Sequence, residues 1–193
     1  LKGSDIFTTA IAVAPVTSWR FYDSVYTERY MQTPQENASG YDDNSPINYA
    51  DKLEGNYLLV HGAWGGAWEF DKLKPLLEHG GNRVMAIDLP GHGSDKTPLA
   101  EVTMDAYVSK VIESMEQFEG KVILVGHSLA GAIVSQVAET VPTKLERLIF
   151  VAAMLPKKGD TPLGLMQSDE QGELLSRIVF SEDGSYATFT AKD

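Results

Sequence analysis

Residues 121–139 constrain the fold of this chain more than any other stretch. Residues 122–125 form a short apolar run rich in β-branched residues, typical of a strand buried on both faces of a parallel sheet. Residues 126–130 read Gly-His-Ser-Leu-Ala, and apolar residues then recur at helical spacing through Ala138. The order strand, tight turn and helix predicts a nucleophile elbow, a turn that presents Ser128 beyond the end of the sheet.

The Gly-x-Ser-x-Ala pattern is weakly specific alone, so this prediction depends on the flanking strand and helix. Gly126 and Ala130 are small enough to let strand and helix approach each other closely. Ala130 stands where the Gly-x-Ser-x-Gly form of the elbow motif has glycine, and a methyl group should be tolerated there. His127 is interpreted as a structural neighbour of Ser128 because adjacent residues on a tight turn point apart.

Length and composition narrow the class of protein. The chain has 193 residues, of which 43% are hydrophobic, so we expect one domain over residues 1–193. The net charge of −11 argues against a nucleic acid or an anionic membrane as partner, because the interaction would be repulsive. The absence of cysteine excludes a thiol nucleophile, disulfides and a cysteine-based zinc site, and no cofactor or metal is expected.

The location and the oligomeric state are not predicted. No apolar run reaches membrane-spanning length and no signal peptide is evident, so the location stays open, with the cytoplasm as the default. The chain begins without methionine, which suggests an excised or processed piece.

The remaining patterns alternate between strands and helices. Apolar runs predict further strands at residues 8–16, 57–60, 83–88 and 145–155. Amphipathic patterns predict helices at residues 69–80 and 103–118, and Thr103 should cap the second of these. Asp183-Gly184 lies between two strand-like runs and predicts a hairpin. The alternation predicts an α/β fold, a mostly parallel sheet with helices on both faces.

Four aromatic residues near the N-terminus share one predicted helical face. Trp19, Tyr22, Tyr26 and Tyr30 recur every three or four residues. The spacing alone favours a stripe that packs against the core over a binding site.

Four motifs mark residues 1–62: Ala-Val-Ala-Pro-Val at 12–16, Tyr-Asp-Ser-Val-Tyr-Thr-Glu-Arg-Tyr at 22–30, Thr-Pro-Gln-Glu-Asn at 33–37 and Leu-Leu-Val-His-Gly at 58–62. With these motifs the segment resembles the catalytic domain of prolyl oligopeptidase-type serine peptidases of the dipeptidyl peptidase IV kind. The resemblance implies that an apolar pocket for a proline or alanine side chain is lined by Val16, Trp19, Tyr22 and Tyr26. It stops after Gly62, because that family continues with a loop carrying its catalytic aspartate and residues 63–67 contain no carboxylate.

Four other motifs mark residues 57–193: His-Gly-Ala-Trp-Gly-Gly-Ala-Trp at 61–68, Asp-Leu-Pro-Gly-His-Gly at 88–93, Gly-His-Ser-Leu-Ala-Gly at 126–131 and Val-Ala-Ala-Met-Leu-Pro at 151–156. With these motifs the segment resembles bacterial α/β-hydrolases related to plant methyl esterases and hydroxynitrile lyases. The resemblance implies that Ser128 is the nucleophile and that the N–H groups of Ala63 and Leu129 form the oxyanion hole. It also implies a cap over the active site, beginning at about residue 157.

The proton acceptor is missing from its usual place. A serine hydroxyl needs a positioned base, which in this fold is a histidine that follows the nucleophile in the chain. No histidine follows Ser128. His61 and His92, both in loops at strand ends, are the substitutes worth testing. The prediction is an impaired serine hydrolase acting on a small ester. The alternatives are a catalytically silent scaffold and a dipeptidyl peptidase-like enzyme with a peptide substrate.

The two resemblances conflict over one strand. Residues 9–16 and residues 145–155 both correspond to the strand that follows the nucleophile helix in their respective families, and only one can lie beside the elbow strand. We therefore expect a chimera-like chain with an incomplete α/β-hydrolase fold. Its first segment should add a strand at a sheet edge or pack irregularly.

Overall fold

The computed structural model describes residues 10–12, 18–22, 24–45, 48, 55–169, 172, 175–184 and 186–189. Its main feature is a five-stranded parallel sheet in the order β1-β5-β4-β2-β3. The strands are β1 (Ala10–Ala12), β2 (Asn56–Val60), β3 (Arg83–Ile87), β4 (Val122–His127) and β5 (Leu145–Val151). Because all five strands are parallel, the loops that follow them meet at one edge of the sheet.

Helices cover both faces of the sheet, as predicted. The α-helices are α1 (Ser24–Met31), α2 (Ala38–Asp42), α3 (Leu73–His79), α4 (Met104–Met115), α5 (Ala130–Thr140) and α6 (Pro162–Ser168). Alternate residues of β2 and β4 point to opposite faces. Leu58 and Leu124 pack with α4 and α5, whereas Leu59 and Ile123 pack on the other face with Leu77 of α3.

Two local predictions are confirmed. The Thr103 side chain caps α4 by accepting a hydrogen bond from the N–H of Ala106 at 3.1 Å. Strands β6 (Ile178–Phe180) and β7 (Ala187–Phe189) pair antiparallel around residues 183–184 and form the predicted hairpin.

The strand conflict is resolved at the edge of the sheet. Strand β5 takes the place beside the elbow strand β4, and β1 lies outside β5, with Ala12 opposite Val151. The first segment thus contributes an extra edge strand, one of the two outcomes expected from the sequence. The strand predicted over residues 8–16 is observed at Ala10–Ala12, and its other residues lie outside the described part of the chain.

Within the described ranges, each helix is either too short or too polar to cross a lipid bilayer.

Candidate active site

The predicted turn between strand and helix is present. Strand β4 ends at His127 and α5 begins at Ala130, so Ser128 and Leu129 form the connection. Ser128 has a φ of +52°, in the left-handed region that residues other than glycine rarely adopt. Its backbone is held there by two hydrogen bonds, one to the last residue of β5 and one to the segment that follows β5. The Ser128 N–H donates to the Val151 carbonyl at 3.4 Å, and the Met154 N–H donates to the Ser128 carbonyl at 2.9 Å. The turn therefore stores strain at the serine, as a nucleophile elbow does.

Small residues around the turn are required by close packing. A side chain on Gly126 would place its Cβ 3.0 Å from the Ala130 carbonyl oxygen and 2.9 Å from Val134 Cγ2. A side chain on Gly131 would overlap the backbone of Met154. Ala130 itself is fully buried, so its methyl group is accommodated as expected.

The glycine-rich loop after β2 lies directly against Ser128. A Cβ on Gly62 would sit 2.8 Å from Ser128 Cβ and 3.3 Å from Ser128 Oγ. Within the described ranges, the N–H groups of Ala63 and Leu129 donate no hydrogen bond to another residue. One of these residues follows Gly62 and the other follows Ser128, so both belong to the two segments that meet at the serine. Unpaired donors at such a meeting point suit an anion that develops on substrate.

Asp88 fixes the far end of this loop. Its carboxylate accepts hydrogen bonds from the Ala67 N–H at 2.7 Å and from the N–H and hydroxyl of Ser94 at 2.9 and 2.7 Å. Burial raises the pKa of Asp88, but these hydrogen bonds outweigh burial and leave the pKa below its ordinary value of 3.8. Asp88 thus ties the loop after β2 to the loop after β3.

A carboxylate–imidazole pair also lies beside the turn. Glu69 Oε2 is 3.0 Å from His127 Nδ1, and the two side chains are 20% and 39% exposed. His127 therefore packs as a structural neighbour of the serine, in agreement with its interpretation from sequence. Sequence reasoning missed Glu69 because its partner is 58 positions away and no local pattern marks the pair.

His61 does not fit the substitute-base role expected from sequence. The ring is fully buried, and the Leu89 N–H donates to its Nε2 at 3.1 Å. Its Nδ1 therefore carries the proton and donates to the Gly62 carbonyl at 2.7 Å. Burial lowers the pKa of His61 below 6.5, although the hydrogen bond to Gly62 opposes this change. Since backbone groups occupy both nitrogens, neither can accept the proton of Ser128 in this arrangement.

His92 differs from His61 in its free nitrogen. Its Nδ1 lies 3.0 Å from the Pro90 carbonyl, so this nitrogen is the donor. Its Nε2 has no hydrogen-bond partner within the described part of the chain. The ring packs against His61 and Tyr107, with centroids 5.2 and 5.7 Å away. His92 therefore keeps a nitrogen that could accept a proton, and its role as substitute base stays a prediction.

A cavity of about 470 Å³ opens beside the glycine-rich loop. It is lined by residues of that loop, of the loop after β3, of α4 and its preceding turn, and of the terminal hairpin: Ala63, Trp64, Gly65, Gly91, His92, Gly93, Leu99, Val102, Tyr107, Tyr186 and Ala187. Trp64 joins loop and hairpin, because its Nε1 donates to the Ala187 carbonyl at 2.8 Å and its ring lies 5.7 Å from that of Phe189. Ala63 thus belongs both to the cavity wall and to the candidate oxyanion hole.

The aromatic face near the N-terminus does not pack into the core. The rings of Trp19, Tyr22, Tyr26 and Tyr30 contact one another edge to face in a row, with centroids 5.2–5.9 Å apart. Tyr22, Tyr26 and Tyr30 are 45%, 54% and 69% exposed, so the core-packing interpretation is wrong. Val16, the remaining residue of the predicted peptidase-like pocket, lies outside the described residues. That pocket stays a prediction.

Two family models match the chain, and they overlap at β2. The model of the alpha/beta hydrolase family matches residues 57–191, and the model of the prolyl oligopeptidase family matches residues 1–65. The first match covers well over half of the chain and contains every residue of the elbow and of the glycine-rich loop.

Two plant proteins are among the curated relatives of this chain. Methylesterase 9 of Arabidopsis thaliana is 35% identical over 143 residues, which is 69% of this chain and 53% of the relative. The Alpha-hydroxynitrile lyase of the same plant is 40% identical over 110 residues, or 55% of this chain and 43% of the relative. The chain spans about half the length of the curated relatives it matches.

Solved structures agree with the sequence matches. The crystal structure of polyneuridine aldehyde esterase, an enzyme known from Rauvolfia serpentina, superposes with a TM-score of 0.61 at 32% identity. The match covers 67% of this chain and 53% of that one. The pyrethroid hydrolase PytH gives a TM-score of 0.61 at 35% identity, covering 68% of this chain and 54% of that one. With the parallel sheet, the elbow and the family match in agreement, this chain belongs to the alpha/beta hydrolase family.

Proposed function

We propose that this chain carries the nucleophile half of a serine esterase site and acts on a small carboxylic ester. Ser128 Oγ attacks the acyl carbon, and the N–H groups of Ala63 and Leu129 stabilise the oxyanion that forms. The observation that carries the proposal is the contact of Gly62 with Ser128, which brings two unpaired backbone donors to a strained serine.

The names of the relatives favour ester chemistry. A methylesterase and polyneuridine aldehyde esterase are among the similar proteins, and so is a hydroxynitrile lyase. Lyase and esterase chemistry can share a fold, so the family alone does not select the reaction. The strained serine with two free amides is the arrangement that acyl transfer uses, and this favours the ester.

Turnover should be impaired in this chain. Ser128 Oγ has no hydrogen-bond partner among the residues that the structure describes, and no histidine follows it in the sequence. A positioned general base typically contributes ~10²–10⁴-fold to the rate. Activated acyl or phosphonyl compounds, whose leaving groups need little assistance, should therefore modify Ser128 more readily than ordinary esters are turned over.

The cavity beside Ala63 is the proposed substrate site. It extends from the glycine-rich loop to the β6–β7 hairpin, to which Trp64 donates a hydrogen bond. In this proposal the hairpin belongs to a cap that begins at about residue 157, and His92 on the cavity wall is the remaining candidate for proton transfer.

The two-part, chimera-like origin of the chain is also a proposal. It is supported by the two family models, which share residues 57–65 and otherwise divide the chain between them. The shared residues include β2 except Asn56, and the His-Gly pair that the two resemblances have in common.

A fluorophosphonate probe tests the proposed function, since it phosphonylates an activated serine. We expect covalent labelling of the 193-residue chain, mapped to Ser128 by mass spectrometry and lost in Ser128→Ala. Ser135→Ala is the matched control, because that hydroxyl lies on α5 and donates to the Gly131 carbonyl at 2.7 Å. It should label like the parent chain.

The other outcomes separate the alternatives. No labelling of a chain with a folded circular dichroism spectrum would favour the silent scaffold. Release of a dipeptide from an Xaa-Pro substrate, unaffected by Ser128→Ala, would instead favour the peptidase-like alternative that the prolyl oligopeptidase match suggests.

A further inference from the structure

The oxyanion hole depends on two segments keeping a fixed relation. Ala63 follows β2 and Leu129 follows β4, so their N–H groups share a target only while the glycine-rich loop stays seated on the turn. Gly62, Gly65 and Gly66 leave the loop with little conformational restriction of its own. Contacts from outside the loop must therefore set its position.

The van der Waals contact between Gly62 and Ser128 limits how closely the loop approaches the turn, but it does not fix the orientation of the loop. The hydrogen bond of Glu69, which is directional, can fix that orientation. Its side chain covers Gly65 so closely that a Cβ on Gly65 would overlap Glu69 Oε1, while its Oε2 lies 3.0 Å from His127 Nδ1. Apart from the β2–β4 strand ladder, this is the hydrogen bond that joins the loop to the elbow within the described ranges.

Both partners of this hydrogen bond lie close in the chain to the two segments that carry the candidate oxyanion hole. His127 precedes Ser128 directly, and Glu69 lies in the short 3-10 helix Ala67–Phe70 that ends the loop. The side chains of Glu69 and His127 are 20% and 39% exposed, so both are partly shielded from water. A hydrogen bond to a carboxylate is also stronger than one between neutral groups.

We infer that the Glu69–His127 hydrogen bond is the positioning contact that aligns the Ala63 and Leu129 donors on one point. The inference rests on the proposed function for its chemical meaning. Glu69 acts through His127 and the loop, so it is a positioning residue and has no part in the covalent step.

Labelling rates of matched variants test the inference. Glu69→Ala removes the acceptor, whereas Glu69→Gln keeps an oxygen that can accept from the His127 Nδ1–H. Losing one oxyanion donor costs ~10²–10³-fold, so we expect Glu69→Ala to slow the maximal fluorophosphonate labelling rate by ~10-fold or more through misalignment, with little change in probe affinity. Glu69→Gln should label within ~3-fold of the parent, since it preserves the alignment.

Glu78→Ala is the control for loss of a carboxylate. Glu78 lies on α3 and pairs with Lys74 at 3.8 Å, away from the elbow, so its removal should leave labelling unchanged. His127→Ala removes the other partner and should reproduce the effect of Glu69→Ala. It provides a second test if Glu69→Ala fails to fold by circular dichroism.

Amide chemical shifts give a readout that does not need reactivity. In ¹⁵N-labelled protein, Glu69→Ala should move the Ala63 and Leu129 resonances, and Glu69→Gln and Glu78→Ala should leave them in place. If the parent chain is never labelled but the shifts respond as expected, the positioning contact stands and the proposed function falls.

Three results would each overturn the inference. The first is labelling of Glu69→Ala at the parent rate, and the second is unchanged Ala63 and Leu129 shifts in that variant. The third is slow labelling of Glu69→Gln with shifts like those of the parent, because the pair would then act by accepting a proton.

Discussion

The described residues of the sheet region and of the N-terminal segment are stabilised in different ways. Over residues 56–151, two apolar clusters fill both faces of a parallel sheet, and the side chains of β2 and β4 are almost entirely buried. Among residues 18–22, 24–45, 48 and 55, the buried side chains are Thr27, Tyr41 and Ser45. The folded state of the first region is stabilised because apolar surface is buried away from water, and many helices and strands share in this burial.

Hydrogen bonds within the N-terminal segment, residues 18–45, stabilise its fold. The Tyr41 hydroxyl donates to the Gln32 carbonyl at 2.6 Å, Ser45 Oγ donates to the Tyr41 carbonyl at 2.6 Å, and the Trp19 N–H donates to Ser45 Oγ at 3.0 Å. Net hydrogen-bond contributions are small, and opening such a network need not disturb the rest of the fold. The difference indicates that residues 18–45 can open locally while the sheet remains folded.

The largest expected effect comes from the core of the sheet region. Leu124 lies in β4 and is fully buried in the cluster that α4 and α5 cover. Leu124→Ala should lower the free energy of unfolding by ~2–5 kcal/mol, measured by urea denaturation, because it removes buried apolar contacts and leaves a cavity.

Leu76→Ala is the control for this change, since Leu76 on α3 is 47% exposed. It should change the free energy of unfolding by less than ~0.5 kcal/mol. Equal effects of the two substitutions would contradict the core assigned to the sheet region.

The next effect concerns the site within that region. Gly62→Ala would press a methyl group against Ser128 Cβ, 2.8 Å away, and separate the loop from the turn. A displacement of about 1 Å can cost ~10²-fold in rate, so we expect a drop of that order in fluorophosphonate labelling. Gly164→Ala on α6 is the comparison, because its Cβ would meet one atom, Thr161 Oγ1 at 3.0 Å. Parent-like labelling of Gly62→Ala would refute the seating of the loop on the serine.

The stability of the sheet region should also depend on pH through His61, which directly follows β2. Burial holds the pKa of His61 below the usual 6.5, so the unfolded chain binds the proton more readily than the folded chain does. The stabilising effect is complete above pH 6.5 and declines as the pH falls below that value toward the folded pKa. Protonation of Nε2 would also remove the acceptor of the Leu89 N–H.

Urea denaturation between pH 8 and pH 5 measures this decline in the free energy of unfolding, because the range spans the unperturbed pKa of histidine, about 6.5. His61→Asn should flatten the decline, whereas His79→Gln, which removes an exposed histidine at the end of α3, should preserve it. An unchanged decline in His61→Asn would show that another group titrates.

The smallest effect is expected in the N-terminal segment. Tyr41→Phe removes the hydrogen bond to the Gln32 carbonyl and keeps the ring. We expect faster amide hydrogen exchange over residues 37–45 and unchanged exchange in β4 and α5, because the network is local. Equal acceleration in β4 would show that the two regions unfold together and would remove the contrast between them.

Sequence patterns were informative where the determinants were local. The elbow, the strand before it, the Thr103 cap and the hairpin at residues 183–184 each depend on residues close together in the chain. The aromatic face misled for the opposite reason. Helical spacing fixes which side chains share a face, but what covers that face depends on the rest of the fold, and Tyr22, Tyr26 and Tyr30 are left exposed.

Local patterns were enough to predict the parallel α/β fold and the strained corner at Ser128, because periodicity, turn residues and small neighbours act over a few positions. Only the folded chain shows the pairing of Glu69 with His127, the occupation of both His61 nitrogens and the place of β1 at the sheet edge. These features arise where segments distant in the chain meet. A hydrogen bond or strand pairing between such segments leaves no signature in the residues on either side of it.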